Sequence, residues 1–125
     1  MDKYYSKTHE WVKITDDEEA IVGISEYAAK ELLGDITYVE LPKEGTDLIC
    51  GDCVGTIESV TASSEVFSPV SGTVTAVNHA LDDDAGLINK SAEGKGWLYK
   101  LEDYDPTELE ELMPEEDYAD YLETL

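Results

Sequence analysis

Apolar and polar residues alternate in short runs along most of the chain, a pattern typical of half-buried β-strands. Runs at residues 11–14 and 20–24 flank an acidic turn at 16–19, which predicts a hairpin. Further strands are predicted at 36–41, 47–50, 53–60, 65–68, 72–77 and 97–101, each bounded by Gly, Asp, Ser or Pro. The pattern therefore predicts a mainly β fold, a strand-rich barrel or sandwich.

Helical spacing interrupts the alternation in two places. Ser25 is suited to cap a short helix that Gly34 ends, and this would be a helix inserted between strands. Pro106 and Thr107 open a helical tail over about residues 106–125, which Pro114 interrupts. We expect one domain spanning residues 1–125, because this length suits a single hydrophobic core.

The chain is strongly acidic, with 30 Asp and Glu against 8 basic residues and a net charge of -22. Such a charge disfavours binding to nucleic acid and to anionic membranes. It is compatible with a solvated surface, with steering toward basic partner surfaces and with a high-salt host. No apolar run approaches 18 residues, and the segment from Met1 to Lys7 lacks an apolar core, so we expect a cytoplasmic protein.

Several motifs follow one another at residues 5–12, 22–28, 33–45, 55–72, 86–89 and 96–98, and they extend over nearly the whole chain. Together these motifs resemble the glycine cleavage system H protein family. The resemblance implies the barrel-sandwich hybrid of lipoyl and biotinyl carriers, and a monomeric carrier without catalysis of its own. It also implies four partners: glycine decarboxylase, aminomethyltransferase, dihydrolipoyl dehydrogenase and a lipoate ligase.

The position of Thr61 departs from that family. There the residue is a lysine whose amine carries lipoate through an amide bond, at the tip of a hairpin that spans about residues 54–70 here. Threonine has no amine, and its hydroxyl is a poor nucleophile without an adjacent base. We therefore expect no lipoate on this chain, whether the threonine is a natural divergence or an engineered replacement.

Other site residues follow from the resemblance alone. In the family, acidic residues that fall on Glu10 and Glu65 here belong to a cleft that shelters the aminomethylated arm, and a carboxylate is able to pair with its ammonium group. Ordinary surface carboxylates are the alternative. The residues expected to be recognised in the hairpin by the ligase are Glu58, Ser59, Val60 and Ala62.

Cys50 and Cys53 are separated by Gly51-Asp52, a pair that suits the centre of a tight turn with Gly in the first central position. Such a turn brings the two Cα atoms within about 7 Å, a distance that a disulfide can bridge. Two thiols could replace the dithiol of lipoate, although cysteines on a backbone turn cannot reach into partner active sites as a lipoyl-lysine arm does. Ordinary reduced cysteines are the alternative. We expect no metal site, because only His9 and His79, far apart in sequence, could supplement them.

The sequence thus favours a carrier scaffold of the H-protein type that is not an enzyme and carries no lipoate. A dithiol redox carrier using Cys50 and Cys53 is one alternative. A docking or regulatory adaptor that has lost transfer is another.

Overall fold

The computed structural model describes residues 3–125, with every side chain in that range except that of Leu32. Met1 and Asp2, on which part of the expected absence of a signal segment rests, lie outside the described residues. The strands are β1 Lys3–Tyr5, β2 Glu10–Ile14, β3 Ala20–Ile24, β4 Ile36–Glu40, β5 Asp47–Leu48, β6 Cys53–Ser59, β7 Ser63–Phe67, β8 Gly72–Val77, β9 Tyr99–Glu102 and β10 Met113–Pro114. The prediction of a mainly β fold is confirmed.

The strands form two antiparallel sheets. The larger has seven strands in the order β10-β1-β2-β3-β9-β8-β5, and the smaller has three in the order β4-β6-β7. The hairpin predicted on either side of the acidic turn is β2–β3, with Trp11 opposite Gly23. That glycine is required, because a Cβ there would lie 2.7 Å from the Trp11 ring. The last predicted strand begins two residues later than expected, at Tyr99.

The inserted helix lies where the sequence predicts it. Its described π-helical part is Ala28–Leu33, and the Ser25 hydroxyl accepts a hydrogen bond from the backbone N–H of Ala28 at 3.2 Å. At the other end Gly34 has φ 81° and donates its N–H to Ala29 O, five residues back. A positive φ favours glycine, which explains why the helix ends there.

The other helices are short. Two of them lie between β8 and β9: α1 is Ala80–Asp83 and α2 is Leu87–Ser91. The predicted helical tail consists of a 3₁₀ helix at Pro106–Glu111, capped by Asp105, and of α3 at Glu115–Glu123. Between them β10 pairs with β1, with Tyr5 opposite Met113.

The main core lies between the two sheets, where aliphatic residues of both meet. Val12, Val22 and Leu101 come from the large sheet and Ile57 from the small one, and none of the four has any exposed surface. A second buried cluster joins Tyr5, Trp11 and Tyr118 beneath α3. Within residues 3–125, no helix is long and apolar enough to cross a membrane.

Candidate functional site

Thr61 lies in the turn that connects β6 and β7. The turn runs from Ser59 to Ala62 and is closed by the Ser59 N–H, which donates to Ala62 O at 2.8 Å. The Thr61 side chain is exposed, and its hydroxyl lies 3.5 Å from Leu33 O at the end of the inserted helix. Residue 61 is therefore exposed at the tip of the hairpin, but the threonine there has a hydroxyl in place of an amine.

The segment that follows the inserted helix contacts the backbone of this turn. The Val60 N–H donates to Asp35 O at 3.0 Å, two residues beyond the helix. The Val60 side chain is 67% exposed, which makes it one of the most exposed apolar side chains of the described residues. This hydrogen bond fixes the backbone of the turn relative to the end of the inserted helix, while the Val60 side chain stays in solvent.

The other predicted recognition residues surround the turn. Glu58 is exposed on β6 and pairs with Ser63 of β7. The Ser59 hydroxyl donates to Ala62 O at 3.1 Å and accepts from the Ala62 N–H at 3.0 Å, while Ala62 itself is exposed. Ser59 thus stabilises the turn, whereas Glu58 and Ala62 present their side chains to solvent.

Beyond the base of this hairpin lies a cavity of about 400 Å³. It brings together residues from the segment before β2, from the loop before β6, from the end of β7 and from the 3₁₀ helix. Its lining is Ser6, Lys7, Thr8, Glu10, Cys50, Gly51, Phe67, Ser68, Pro69, Glu108, Glu111 and Leu112. Glu10 and Cys50, which the sequence singled out for separate reasons, therefore share one cavity.

Glu10 is a buried carboxylate, with 2% of its surface exposed. It accepts hydrogen bonds from the hydroxyls of Ser6, at 2.8 Å, and of Thr8. Burial raises the pKa of the Glu10 carboxyl, and hydrogen bonds from Thr8, Ser6 and the backbone of Phe67 oppose that rise. The alternative of an ordinary surface carboxylate is therefore wrong for Glu10.

Glu65 is exposed on β7 and does not line the cavity. Side chains two apart on a strand share a face, so Glu65 lies on the same face as Phe67, about 7 Å nearer the tip. The two carboxylates are thus placed differently, Glu10 inside the cavity wall and Glu65 on the strand between the tip and the cavity.

The cysteine loop differs from the expected turn by one residue. The Asp52 N–H donates to Ile49 O at 2.9 Å, so the turn spans residues 49–52, and Gly51, with φ 92°, takes its second central position. A type II turn requires a positive φ there, which is why the register shifts.

The two cysteines have different surroundings. Both are free thiols: Cys50 is half-buried and donates to Pro69 O at 3.3 Å, and Cys53 is exposed and lies 3.6 Å from Gly55 O. Burial and the nearby carboxylates of Glu108 and Glu111 raise the pKa of the Cys50 thiol. A raised pKa makes a thiol less nucleophilic at neutral pH, so this observation does not favour the dithiol redox carrier. Among residues 3–125, no group of three or more His, Cys, Asp or Glu is arranged to bind a metal ion.

Sequence reasoning missed several residues of this site. Ser6 and Thr8, which hydrogen-bond to Glu10, are spaced at two-residue intervals before it, and that spacing was the available signal. Glu108 joins the 3₁₀ helix to the loop after β7, since its carboxylate accepts hydrogen bonds from the Ser71 N–H and hydroxyl at 2.7 and 3.0 Å. No local pattern indicates that contact, because it joins segments 37 residues apart.

Comparison with known proteins agrees with this arrangement over almost the whole chain. The family model described as glycine cleavage H-protein matches residues 3–125. A glycine cleavage system H protein of Thermotoga maritima is 48% identical over 95% of this chain and 94% of its own length. Glycine cleavage system H protein 4 of Aquifex aeolicus is 47% identical over 99% of this chain and 71% of its own length.

A solved structure extends the likeness to three dimensions. The crystal structure of a glycine cleavage system H protein from Mycobacterium marinum superposes with a TM-score of 0.84 at 35% identity, covering 97% of this chain and 96% of that one. This match supports the predicted barrel-sandwich fold of lipoyl carriers. The chain belongs to the glycine cleavage H-protein family, the lipoyl-carrier component of the glycine cleavage system, which is not itself catalytic.

Proposed function

We propose that this chain is an H-protein scaffold that docks with enzymes of the glycine cleavage system without carrying lipoate. The observation that carries the proposal is Thr61 in the exposed turn between β6 and β7. The residue does not fit the family's cofactor, because an amide with lipoate needs an amine. The docking partners would be the decarboxylase, the aminomethyltransferase and dihydrolipoyl dehydrogenase, in the cytoplasm.

Docking and transfer depend on different parts of the molecule, which supports this proposal. Transfer needs an arm on one residue of the turn, whereas docking needs charge and shape over the body of the domain. The acidic surface and the fold of the body are present, and a domain with a net charge of -22 is attracted to basic partner surfaces. We infer a regulatory or competitive role, in which the chain occupies a partner and delivers no aminomethyl group.

The first test is modification of the tip. After co-expression with a lipoate ligase and lipoate, we expect the intact mass of the chain to equal that of the bare polypeptide. The Thr61→Lys variant should gain one lipoyl group, because the turn with Glu58, Val60 and Ala62 is formed. Thr61→Arg is the matched control, since it adds a long cation that has no acylable amine.

The result is contradicted by a lipoyl-sized increment on the parent chain. Peptide mapping should then examine Lys30 first, because that lysine is exposed on the helix whose end contacts Thr61. If Thr61→Lys stays unmodified beside a lipoylated family member, the turn has the wrong shape for the ligase. In a lipoylated Thr61→Lys variant, Glu10 and Glu65 would be the next carboxylates to substitute, because they are the residues expected to shelter the arm.

The second test is docking. The parent chain should inhibit turnover of the aminomethyltransferase with a lipoylated H protein at low salt, by competition for the same surface. Raising salt from 0.1 to 1 M shortens the Debye length from about 10 to 3 Å, so inhibition should weaken. A folded chain that fails to inhibit at low salt would remove docking from the proposal.

A further inference from the structure

The β7 strand lies at an edge of the small sheet, and only one of its two sides pairs with another strand. The Ser59 N–H donates to Ala62 O at 2.8 Å, so the backbone of Ala62 points toward β6. In an antiparallel ladder this direction alternates from one residue to the next. The N–H and C=O groups of Ser63 and Glu65 therefore point away from β6, into the space beside the sheet.

These outward groups have almost no partners. In the described part of the chain they form no backbone hydrogen bond, and the Glu65 C=O accepts only from the hydroxyl of its neighbour Ser64, at 3.4 Å. Ser63, Ser64 and Glu65 are all exposed. The open stretch ends at Phe67, whose backbone faces the Glu10 carboxylate. Three exposed residues of this edge are thus able to pair with another strand.

The edge also lacks most features with which proteins protect a strand edge, such as lysine, proline, a bulge on the strand or a covering helix. β7 contains neither lysine nor proline, and the irregularity in its pairing lies on β6, between Cys53 and Gly55. By contrast, the edge strands β5 and β10 have two residues each. At the edge strand β4, the Ile36 N–H donates to Asn89 of α2 at 2.8 Å. Among residues 3–125, β7 is therefore the edge strand that is most open to pairing.

The charges of the small sheet determine which kind of strand is able to add to it. β4, β6 and β7 contain no lysine or arginine, and their register places Glu40, Glu58 and Glu65 on one face, where all three are exposed. None of the three forms an ion pair within the described residues. A second copy of this chain would bring like charges together, which destabilises strand pairing. A basic segment is complementary to this face.

We propose that the β7 edge binds an extended basic segment of another protein, which adds to the small sheet as an antiparallel strand. The outward N–H and C=O groups of Ser63 and Glu65 pair with two residues of that segment. Residues directly opposite each other share a face, so lysine or arginine side chains at those two positions lie on the face of the three carboxylates. This interaction goes beyond docking to the glycine cleavage enzymes and does not depend on it.

The test uses synthetic peptides on the full-length chain. The probe is a pentapeptide in which valine and lysine alternate, with lysine at the second and fourth positions. One analogue is N-methylated at both lysine nitrogens, and its matched control is N-methylated at the third and fifth residues, which are valines. All three peptides have the same charge, so general attraction to the acidic surface is equal. Binding is measured by NMR, from the amide chemical shifts of Ser63 and Glu65 during titration.

We expect the lysine-methylated peptide to bind at least about tenfold more weakly than the probe, because it lacks two N–H donors that face β7. The valine-methylated control should bind like the probe, since its methyl groups point away from the sheet. An added strand directs only one of the two sets of N–H groups at its neighbour.

Substitutions of Glu65 separate the backbone from the charge. Glu65→Thr removes the carboxylate, whereas Glu65→Pro removes the carboxylate and the outward N–H, and edge strands tolerate proline at such a position. Glu65→Pro should bind the probe about fivefold more weakly than Glu65→Thr, the effect of one lost hydrogen bond. Circular dichroism verifies that both variants are folded.

Equal affinities of the two methylated peptides for the parent chain would overturn the proposal, and this outcome needs no variant that could fail to fold. The opposite preference would overturn the antiparallel arrangement. Sedimentation equilibrium tests the other occupant: a dimer of the parent chain that Glu65→Pro abolishes would assign the edge to a second copy and overturn its assignment to a basic segment.

Discussion

Tyr118 joins three segments of the chain through one hydroxyl. The oxygen lies 2.7 Å from His9 Nδ1 and donates to the Ser25 hydroxyl at 2.8 Å, next to the cap of the inserted helix. The ring stacks on Tyr5 with centroids 4.2 Å apart. Burial raises the pKa of Tyr118 to about 12, so the hydroxyl stays protonated at neutral pH.

Removing this hydroxyl should destabilise the fold. We expect Tyr118→Phe to lower the free energy of unfolding by about 1–2 kcal/mol, because buried partners lose a hydrogen bond while the stacked ring remains. Tyr121→Phe is the matched control on the same helix, and its hydroxyl has no side-chain partner in the described residues, so a change within about 0.5 kcal/mol is expected. Urea unfolding measures both, and equal losses would show that the bridge contributes nothing specific.

Single residues also show what the sequence was able to predict. The exposed turn at Thr61 followed from a motif that is local in sequence, and the structure places that residue in a turn. The burial of Glu10 did not follow from the sequence, since a carboxylate is normally exposed and only tertiary contacts enclose it. The clustering of Glu108 with Cys50 likewise depends on how the 3₁₀ helix packs.

At the scale of elements, the small sheet β4-β6-β7 carries the tip and depends on one close backbone approach. A Cβ on Gly55 would lie 2.0 Å from Glu40 O in β4. That separation is far below any real carbon–oxygen contact, and the obstacle is backbone, which cannot rotate away. The pairing of β4 with β6 therefore requires glycine at this position.

Gly55→Ala should lower the free energy of unfolding by about 2 kcal/mol or more, the upper part of the range for overpacking. Gly86→Ala is the control: its φ is -65° and the added Cβ would meet only Asp84 Oδ1 at 3.4 Å. That variant should be neutral or slightly more stable, by up to about 1 kcal/mol, because alanine restricts the unfolded chain. Thermal or urea unfolding distinguishes them, and a well-tolerated Gly55→Ala would contradict the strict requirement.

Elements long enough to show a strand or helix pattern of apolar residues were predictable from the sequence, and short elements were not. The strand from Gly72 to Val77 has the predicted bounds, whereas α1 and α2 have four and five residues and are too short to display a helical period. β10 has two residues and forms only because β1 offers an edge for it. Such elements are set by tertiary pairing and leave no pattern of their own.

At the scale of the whole molecule, the charge is mostly uncompensated. Within residues 3–125, lysines form ion pairs with two carboxylates, those of Glu93 and Asp84, and the exposed His79 ring lies 3.9 Å from Glu44 and 3.4 Å from Asp82. With 30 acidic residues in the sequence, repulsion between like charges opposes the compact state.

Added salt should therefore stabilise the chain. We expect the urea midpoint of unfolding to rise between 0.01 and about 0.5 M NaCl, as the Debye length falls from about 30 Å to a few ångströms. Choline chloride at equal ionic strength is the control, because an equal rise shows general screening, whereas a rise specific to sodium shows ion binding. A midpoint that does not move would mean that the acidic groups are too well solvated to repel one another.

The pairing of β1 with β10 has a consequence for synthesis on the ribosome. Tyr5 and Trp11 are made early, yet the residues that cover them, Met113 and Tyr118, emerge more than 100 residues later. Until then the nascent chain presents an uncovered aromatic face and an open strand edge, features that favour association with other chains. A message truncated before codon 113 should thus yield a product that needs a chaperone or is degraded, even though it contains the tip and every residue that lines the cavity.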